Sequence, residues 1–210
     1  MVNIIFIGPQ GSGKGTQAKI ISEKLDLVHI STGDLFRGLT KGELKEEVDS
    51  YINKGNLVPD EVTIKILNER ISREDCKKGF ILDGFPRNVV QANLLEKITQ
   101  INQVIEINIS DEIAIKRISS RLSCKKCGTI YNLETNPPKE PNICDKCQEE
   151  LYRRADDNPE AIKKRLETYH NETKPVLKKY QSILTTIDGN QEIDKIAEQI
   201  IEKINFKNKV

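Results

Sequence analysis

Apolar residues gather into five short, nearly unbroken runs: Val2 to Ile7, Leu27 to Ile30, Gly79 to Leu82, Val104 to Ile109 and Ile183 to Ile187. A strand with one face in water alternates apolar and polar residues, whereas a strand covered on both faces does not. The runs therefore predict buried parallel strands. Between them, Gln17 to Leu25, Asp60 to Ser72, Val89 to Ile98 and Asp111 to Leu122 carry apolar residues at helical spacing. Strand and helix alternating in this way predict an α/β fold, a doubly wound parallel five-stranded sheet.

The pattern breaks between Ser123 and Leu151, where two cysteine pairs, Gly128, Asn136-Pro137-Pro138 and Pro141 leave no room for a long helix. This segment reads as an insertion with its own staple. Next, Asp156-Asp157-Asn158-Pro159-Glu160 supplies a cap, a first-turn proline and an early acid, and Ile162, Leu166, Tyr169 and Thr173 follow at helical spacing. A helix starts here, and Pro175 kinks or ends it. The Lys-rich end, Lys203 to Val210, reads as a solvated terminus.

Composition narrows the partners. The 210 residues suffice for one main domain, residues 1–210, with a small insertion. A formal net charge of +1 gives no whole-molecule field favouring nucleic acid or an acidic membrane, so any phosphate binding must be local. The first seven residues lack a basic n-region, and their apolar run stops at Gly8-Pro9, so neither a signal peptide nor a membrane span is expected and the expected location is cytoplasmic. In a reducing compartment, five cysteines point to metal binding or packing rather than disulfides.

Gly8-Pro9-Gln10-Gly11-Ser12-Gly13-Lys14-Gly15-Thr16 follows the first strand and opens the first helix, the context in which the P-loop pattern has physical meaning. Glycines let backbone N–H groups converge on phosphate oxygens, the helix N-terminus adds its positive end, and Lys14 supplies a point charge. Gly15 stands where many P-loop proteins carry a Mg-binding Ser or Thr, and Thr16 comes one residue later.

The ending Lys14-Gly15-Thr16-Gln17 resembles the nucleoside monophosphate kinases. Ile30-Ser31-Thr32-Gly33-Asp34-Leu35-Phe36-Arg37, Asp83-Gly84-Phe85-Pro86-Arg87 with Gln91, and Arg154-Ala155-Asp156-Asp157 with Arg165 are similar, in order and spacing, to successive signatures of the adenylate kinase family. The resemblance implies reversible phosphoryl transfer from Mg-ATP to AMP giving two ADP, with ATP, AMP and ADP as partners and a monomer as the usual state. It implies an AMP-binding subdomain over 31–60 and a lid over 121–157.

Residue by residue, it places ATP on Gly11 to Thr16 with Arg121, Ile130, Tyr131 and Gln191, the last mainly through its backbone. It places AMP on Thr32, Arg37, the stretch Asn56-Leu57-Val58, Gly84, Phe85, Pro86, Arg87, Gln91, Arg154 and Arg165. Lys14, Arg87, Arg117, Arg121, Arg154 and Arg165 form the implied catalytic cluster, and Asp83 the acid that holds water around Mg2+. Phosphoryl transfer leaves the protein little covalent work, so positioning and charge neutralisation carry it, and guanidinium forks suit both. An ionised phosphate oxygen needs no general base, and His29 and His170 are expected to be structural.

Cys124-Lys125-Lys126-Cys127 and Cys144-Asp145-Lys146-Cys147 have the spacing of a tetrahedral four-thiolate zinc site. Four protein ligands close the sphere, so the expected Zn2+ is structural. Zinc ribbons also bind nucleic acid, and Lys125, Lys126 and Lys146 are compatible with that alternative. Balanced net charge and few aromatics near the knuckles argue against it. A kinase for CMP, UMP or GMP is the nearer alternative, against which Gln91 and Thr32 favour AMP.

Overall fold

The computed structural model describes residues 1–207. The chain runs through β1 (Val2–Ile7), α1 (Lys14–Leu25), β2 (Val28–Ser31), α2 (Thr32–Arg37), α3 (Glu43–Ile52), α4 (Asp60–Ile71), β3 (Gly79–Asp83), α5 (Val89–Glu96), β4 (Gln103–Asn108) and α6 (Asp111–Ser119). It continues through β5 (Arg121–Cys124), β6 (Ile130–Asn132), β7 (Leu151–Tyr152), α7 (Pro159–Thr168), α8 (Val176–Lys179), β8 (Leu184–Asp188) and α9 (Ile193–Lys207). Five strands form one sheet in the order β2-β3-β1-β4-β8, and each neighbouring pair is parallel.

Two hydrophobic clusters explain why the strand runs are unbroken. Ile5, Ile7, Leu82 and Val104 point into one, with Leu95, Tyr169 and Val176. Ile4, Phe6, Ile81, Ile105 and Ile107 point into the other, with Ile21, Ile196 and Ile200. Successive residues of β1 thus go to opposite faces, and helices cover both, as the doubly wound reading requires. The strand tips carry the site, because Gly8 to Gly13 leaves β1 and Asp83 ends β3 at the same edge.

The expected strands are all present, each within one residue at either end. Helix boundaries differ more. The first helix begins at Lys14, inside the glycine loop, and the helix expected over Asp111 to Leu122 stops at Ser119 because Arg121 to Cys124 turns into β5. After Thr168 the chain makes a π-helical turn, Tyr169–Thr173, and Pro175 then opens α8.

The segment from Ser123 to Leu151 has strands of its own: β5, β6 and β7 form a small antiparallel sheet in the order β6-β5-β7. The tail needs a correction. Lys203 lies inside α9, where Ile196, Ala197, Ile200 and Ile204 are buried. The apolar face of the helix covers the sheet, so the solvated terminus expected from Lys203 does not begin there. Residues 208–210 lie outside the described residues. No described helix is long and apolar enough to cross a membrane.

Candidate active site

The loop after β1 holds its shape through glycine. Gly11 and Gly13 have φ of 82° and 90°, a region that L side chains rarely adopt. A Cβ at Gly11 would also lie 2.7 Å from the Ala114 carbonyl oxygen of α6. At the start of α1 the Lys14 ammonium donates to the Pro9 carbonyl at 3.2 Å. Lys14 keeps some open surface but is crowded by protein. That burial lowers its pKa to about 8, against the partial relief of Asp83, while Arg87, Arg121 and Arg165 push the same way as burial.

Asp83 stands opposite, at the tip of β3. Burial pushes its carboxyl up, yet His29, Lys14 and Arg87 together hold it below the usual carboxylate range. His29 Nε2 is 3.6 Å from Asp83 Oδ2, an electrostatic contact too long for a hydrogen bond. A Cβ on Gly15 would sit 2.9 Å from Asp83 Oδ2, which gives the physical reason for a glycine after Lys14. Asp83 Oδ1 and Ser12 Oγ are buried without a protein partner. An acidic oxygen and a hydroxyl so placed fit a hydrated Mg2+ and a phosphate oxygen.

Arginines from three parts of the chain meet here. Arg87 is pushed down to about 10 by burial, then by Arg165 and Arg37. Arg154 is likewise lowered to about 10 by burial, then by Arg121 and Arg37. Neighbouring groups hold each of them in place. Arg87 Nε donates to the Gly84 carbonyl at 2.8 Å, and the Arg87 carbonyl accepts from the Thr173 hydroxyl at 2.7 Å. Arg154 Nε donates to Ser123 Oγ at 2.9 Å, Arg121 Nε to Asp157 Oδ2 at 2.9 Å, and Arg165 is paired with Asp156. Asp156 and Asp157 had a visible signal, being adjacent acids beside Arg154. Thr173 had none, since its partner lies 86 residues away.

Arg117 does not join this cluster. Its Nη2 donates to the Gly189 carbonyl at 2.9 Å, and its own carbonyl accepts from Asn132 Nδ2 at 2.9 Å, so it lies beside the loop that carries Gln191. Tyr131 points inward: its ring is buried in the small core of the insertion with Leu122 and Leu151, and its hydroxyl accepts from the Asp145 N–H at 2.8 Å. Its side chain is thus taken up within the insertion. The Gln191 side chain is engaged with Asp188 and Gln199.

On the other side of Lys14, a cleft is lined by Gly55, Leu57, Gly84, Pro86, Arg87 and Arg165. Thr32 donates to the Gly84 carbonyl at 3.0 Å, and a Cβ on Gly84 would lie 3.1 Å from Thr32 Oγ1. Gln91 is buried against this wall. Phe85 and Val58 turn their side chains into apolar clusters, and exposed Arg37 is paired with Asp34 at 2.6 Å.

In the insertion, the Sγ atoms of Cys124, Cys127, Cys144 and Cys147 lie within 4.8 Å of one another, as separate thiols. Zn–S bonds of about 2.3 Å in a tetrahedron need sulfurs close to this spacing, so the residues fit a structural zinc ion. Thr129 Oγ1, 3.1 Å from Cys127 Sγ, lowers the pKa of that thiol. The donor set is all sulfur and leaves no position for substrate.

A family model described as adenylate kinase matches residues 6–184. The chain is 49% identical over 208 residues to a protein named adenylate kinase from Bacillus cytotoxicus, covering 95% of this chain and 96% of the relative. It is 47% identical to proteins of that name from Caldanaerobacter subterraneus subsp. tengcongensis, over 95% of this chain and 94% of the relative, and from Clostridioides difficile, over 95% and 97%.

Proposed function

The chain belongs to the adenylate kinase family, and from that premise we propose that it moves the terminal phosphoryl group of ATP onto AMP, reversibly, giving two ADP. One observation supports this above the others: Lys14, Arg87, Arg121, Arg154 and Arg165, drawn from the start of α1, the loop after β3, the two flanks of the insertion and α7, influence one another's charge around a single cleft. The four phosphate groups of ATP and AMP are the kind of substrate that balances so many cations at one point.

In this reading the loop from Gly11 to Thr16 holds the ATP phosphates, and Lys14 follows the charge on the group in transfer. Arg87 and Arg37 hold the AMP phosphate, while Arg121, Arg154 and Arg165 neutralise the equatorial oxygens of the transferring group. Asp83 would hold the waters around Mg2+ and Ser12 a phosphate oxygen, and that ion supplies further neutralisation of ATP phosphate charge when bound. The attacking AMP oxygen is already ionised, so no side chain has to remove a proton. Residues 31–60 form the AMP subdomain, and Thr32, Gly84 and Gln91 face its base. Residues 121–157 form a lid stapled by zinc on Cys124, Cys127, Cys144 and Cys147. Arg117, with backbone from Ile130, Tyr131 and Gln191, borders the ATP base.

The test is ADP formation from Mg-ATP with AMP, CMP, UMP and GMP in turn. AMP is expected to be preferred. ATP hydrolysis independent of AMP, or a preference for a pyrimidine monophosphate, overturns the reading.

A further inference from the structure

Gln91 is 2% exposed, and both ends of its amide are already engaged within the protein. The Arg87 backbone N–H donates to Gln91 Oε1 at 2.7 Å, and Gln91 Nε2 donates to Asp60 Oδ1 at 2.7 Å. A backbone N–H can only donate and a carboxylate can only accept, so these two neighbours admit one orientation of the amide. Asn88 repeats the arrangement. Its Oδ1 accepts from the Gln91 N–H at 2.7 Å, capping α5, and its Nδ2 donates to Asp60 Oδ1 at 3.0 Å. Asp60, half-buried in the first turn of α4, thus clamps two amides that two backbone donors have already oriented.

Counting valences shows what remains. Of the two hydrogens on Nε2 one is spent on Asp60, and of the two lone pairs on Oε1 one is spent on Arg87. Gln91 therefore has one donor and one acceptor left, in a fixed order. The Watson–Crick edge of adenine offers an amino donor and the N1 acceptor. Guanine and hypoxanthine offer the reverse, an O6 acceptor and an N1 donor. A free amide could turn by 180° and serve either edge, whereas a clamped one serves only the first and leaves mismatched polar groups against the other.

We infer that Asp60 is a specificity-determining residue of the monophosphate site, acting through Gln91 to admit a 6-aminopurine monophosphate and reject a 6-oxopurine one. This rests on the reading that Gln91 faces the AMP base. Asp60 itself touches no substrate; it is a positioning residue.

The experiment measures kcat/KM for AMP and for IMP, which differs from AMP at that edge, in the unaltered protein and in Asp60→Ala, Asp60→Ser and Gln91→Ala. Both Asp60 variants are expected to lower the AMP-to-IMP ratio by about 10- to 100-fold, the range of one lost bidentate base contact. The change should come chiefly through a higher KM for AMP, with KM for ATP unmoved. Asp60→Ser keeps a residue suited to a helix start while its shorter, neutral side chain draws the oxygen back from Gln91, so it carries the test if the alanine variant fails to fold. An unchanged ratio in folded Asp60 variants, with a lowered ratio in Gln91→Ala, overturns the clamp and leaves the base contact standing. An unchanged ratio in Gln91→Ala overturns the base contact, and the clamp with it. A merely structural Asp60 would lower the melting temperature and leave the ratio where it was.

Discussion

Burial at the foot of the cleft lowers the Lys14 ammonium from 10.5 to about 8, Asp83 offsetting part of the shift. Between pH 8 and 10.5 the unfolded chain therefore holds more protons at this residue than the folded one, and the Lys14 contribution to stability rises with pH across that window. Nucleotide binding reverses the imbalance, because polyphosphate beside Lys14 favours its charged form. Binding near pH 8.5 to 9 should take up protons, and affinity should fall as pH climbs past about 8. Calorimetry in two buffers of different ionisation enthalpy reads this directly. Uptake that persists unchanged in Lys14→Met would assign the proton elsewhere. At this scale the sequence was legible where chemistry is local: Gly11, Gly13, Lys14 and Asp83 follow from motif and strand end. It was not legible where a partner is distant. No pattern in the chain connects Thr173 to the Arg87 carbonyl, Asp60 to Gln91, or the buried hydroxyl of Tyr131 to the Asp145 backbone.

Elements were legible in proportion to their length and burial. The five parallel strands are covered on both faces, so hydrophobicity alone marked them. The strands of the insertion are two to four residues long, too short for alternation to register, and their order comes from the four thiols and a small cluster around Leu122, Tyr131 and Leu151. Helix α9 did carry a signal, Ile196, Ile200 and Ile204 at intervals of four, obscured by the lysines between and after them. These isoleucines pack with Ile21 of α1 and Ile107 of β4. Ile200→Ala should cost about 2–5 kcal/mol, which for a chain of this size lowers the melting temperature by about 2–4 °C per kcal/mol. Calorimetric melting checks it, and kcat at low temperature should stay near that of the unaltered protein. The insertion should respond differently. Cys144 is fully buried among the thiols, so Cys144→Ser should release zinc, lower the melting temperature and leave AMP-dependent activity measurable at about 10 to 20 °C, near the usual stability maximum. Metal analysis, melting and turnover on the same samples decide it. Full loss of activity in a protein that remains folded would give the metal a part beyond stapling.

For the whole molecule, the five cations around the cleft come from separate parts of the fold. Lys14 and Arg87 belong to the core, Arg121 and Arg154 flank the insertion, and Arg165 lies on α7 behind it. Asp83, Asp156 and Asp157 are the carboxylates set among them, so the assembled cluster keeps an excess of positive charge. Without phosphate, like charges resist assembly; with it, attraction exceeds repulsion, and the lid should close over ATP and AMP and reopen to release ADP. Salt separates this electrostatic gate from one driven by apolar contact. Screening weakens repulsion in the nucleotide-free protein and weakens attraction in the loaded one, with a Debye length falling from about 30 Å at 0.01 M to about 10 Å at 0.1 M. Distance labels on the lid near Lys126 and on α9 should therefore show opposite trends with rising potassium chloride: a growing closed fraction without nucleotide, and a shrinking one at fixed, subsaturating ATP and AMP. The same trend in both states would mean that the arginines do not drive closure, and an unchanged distance at saturating nucleotide would mean that the insertion does not act as a lid.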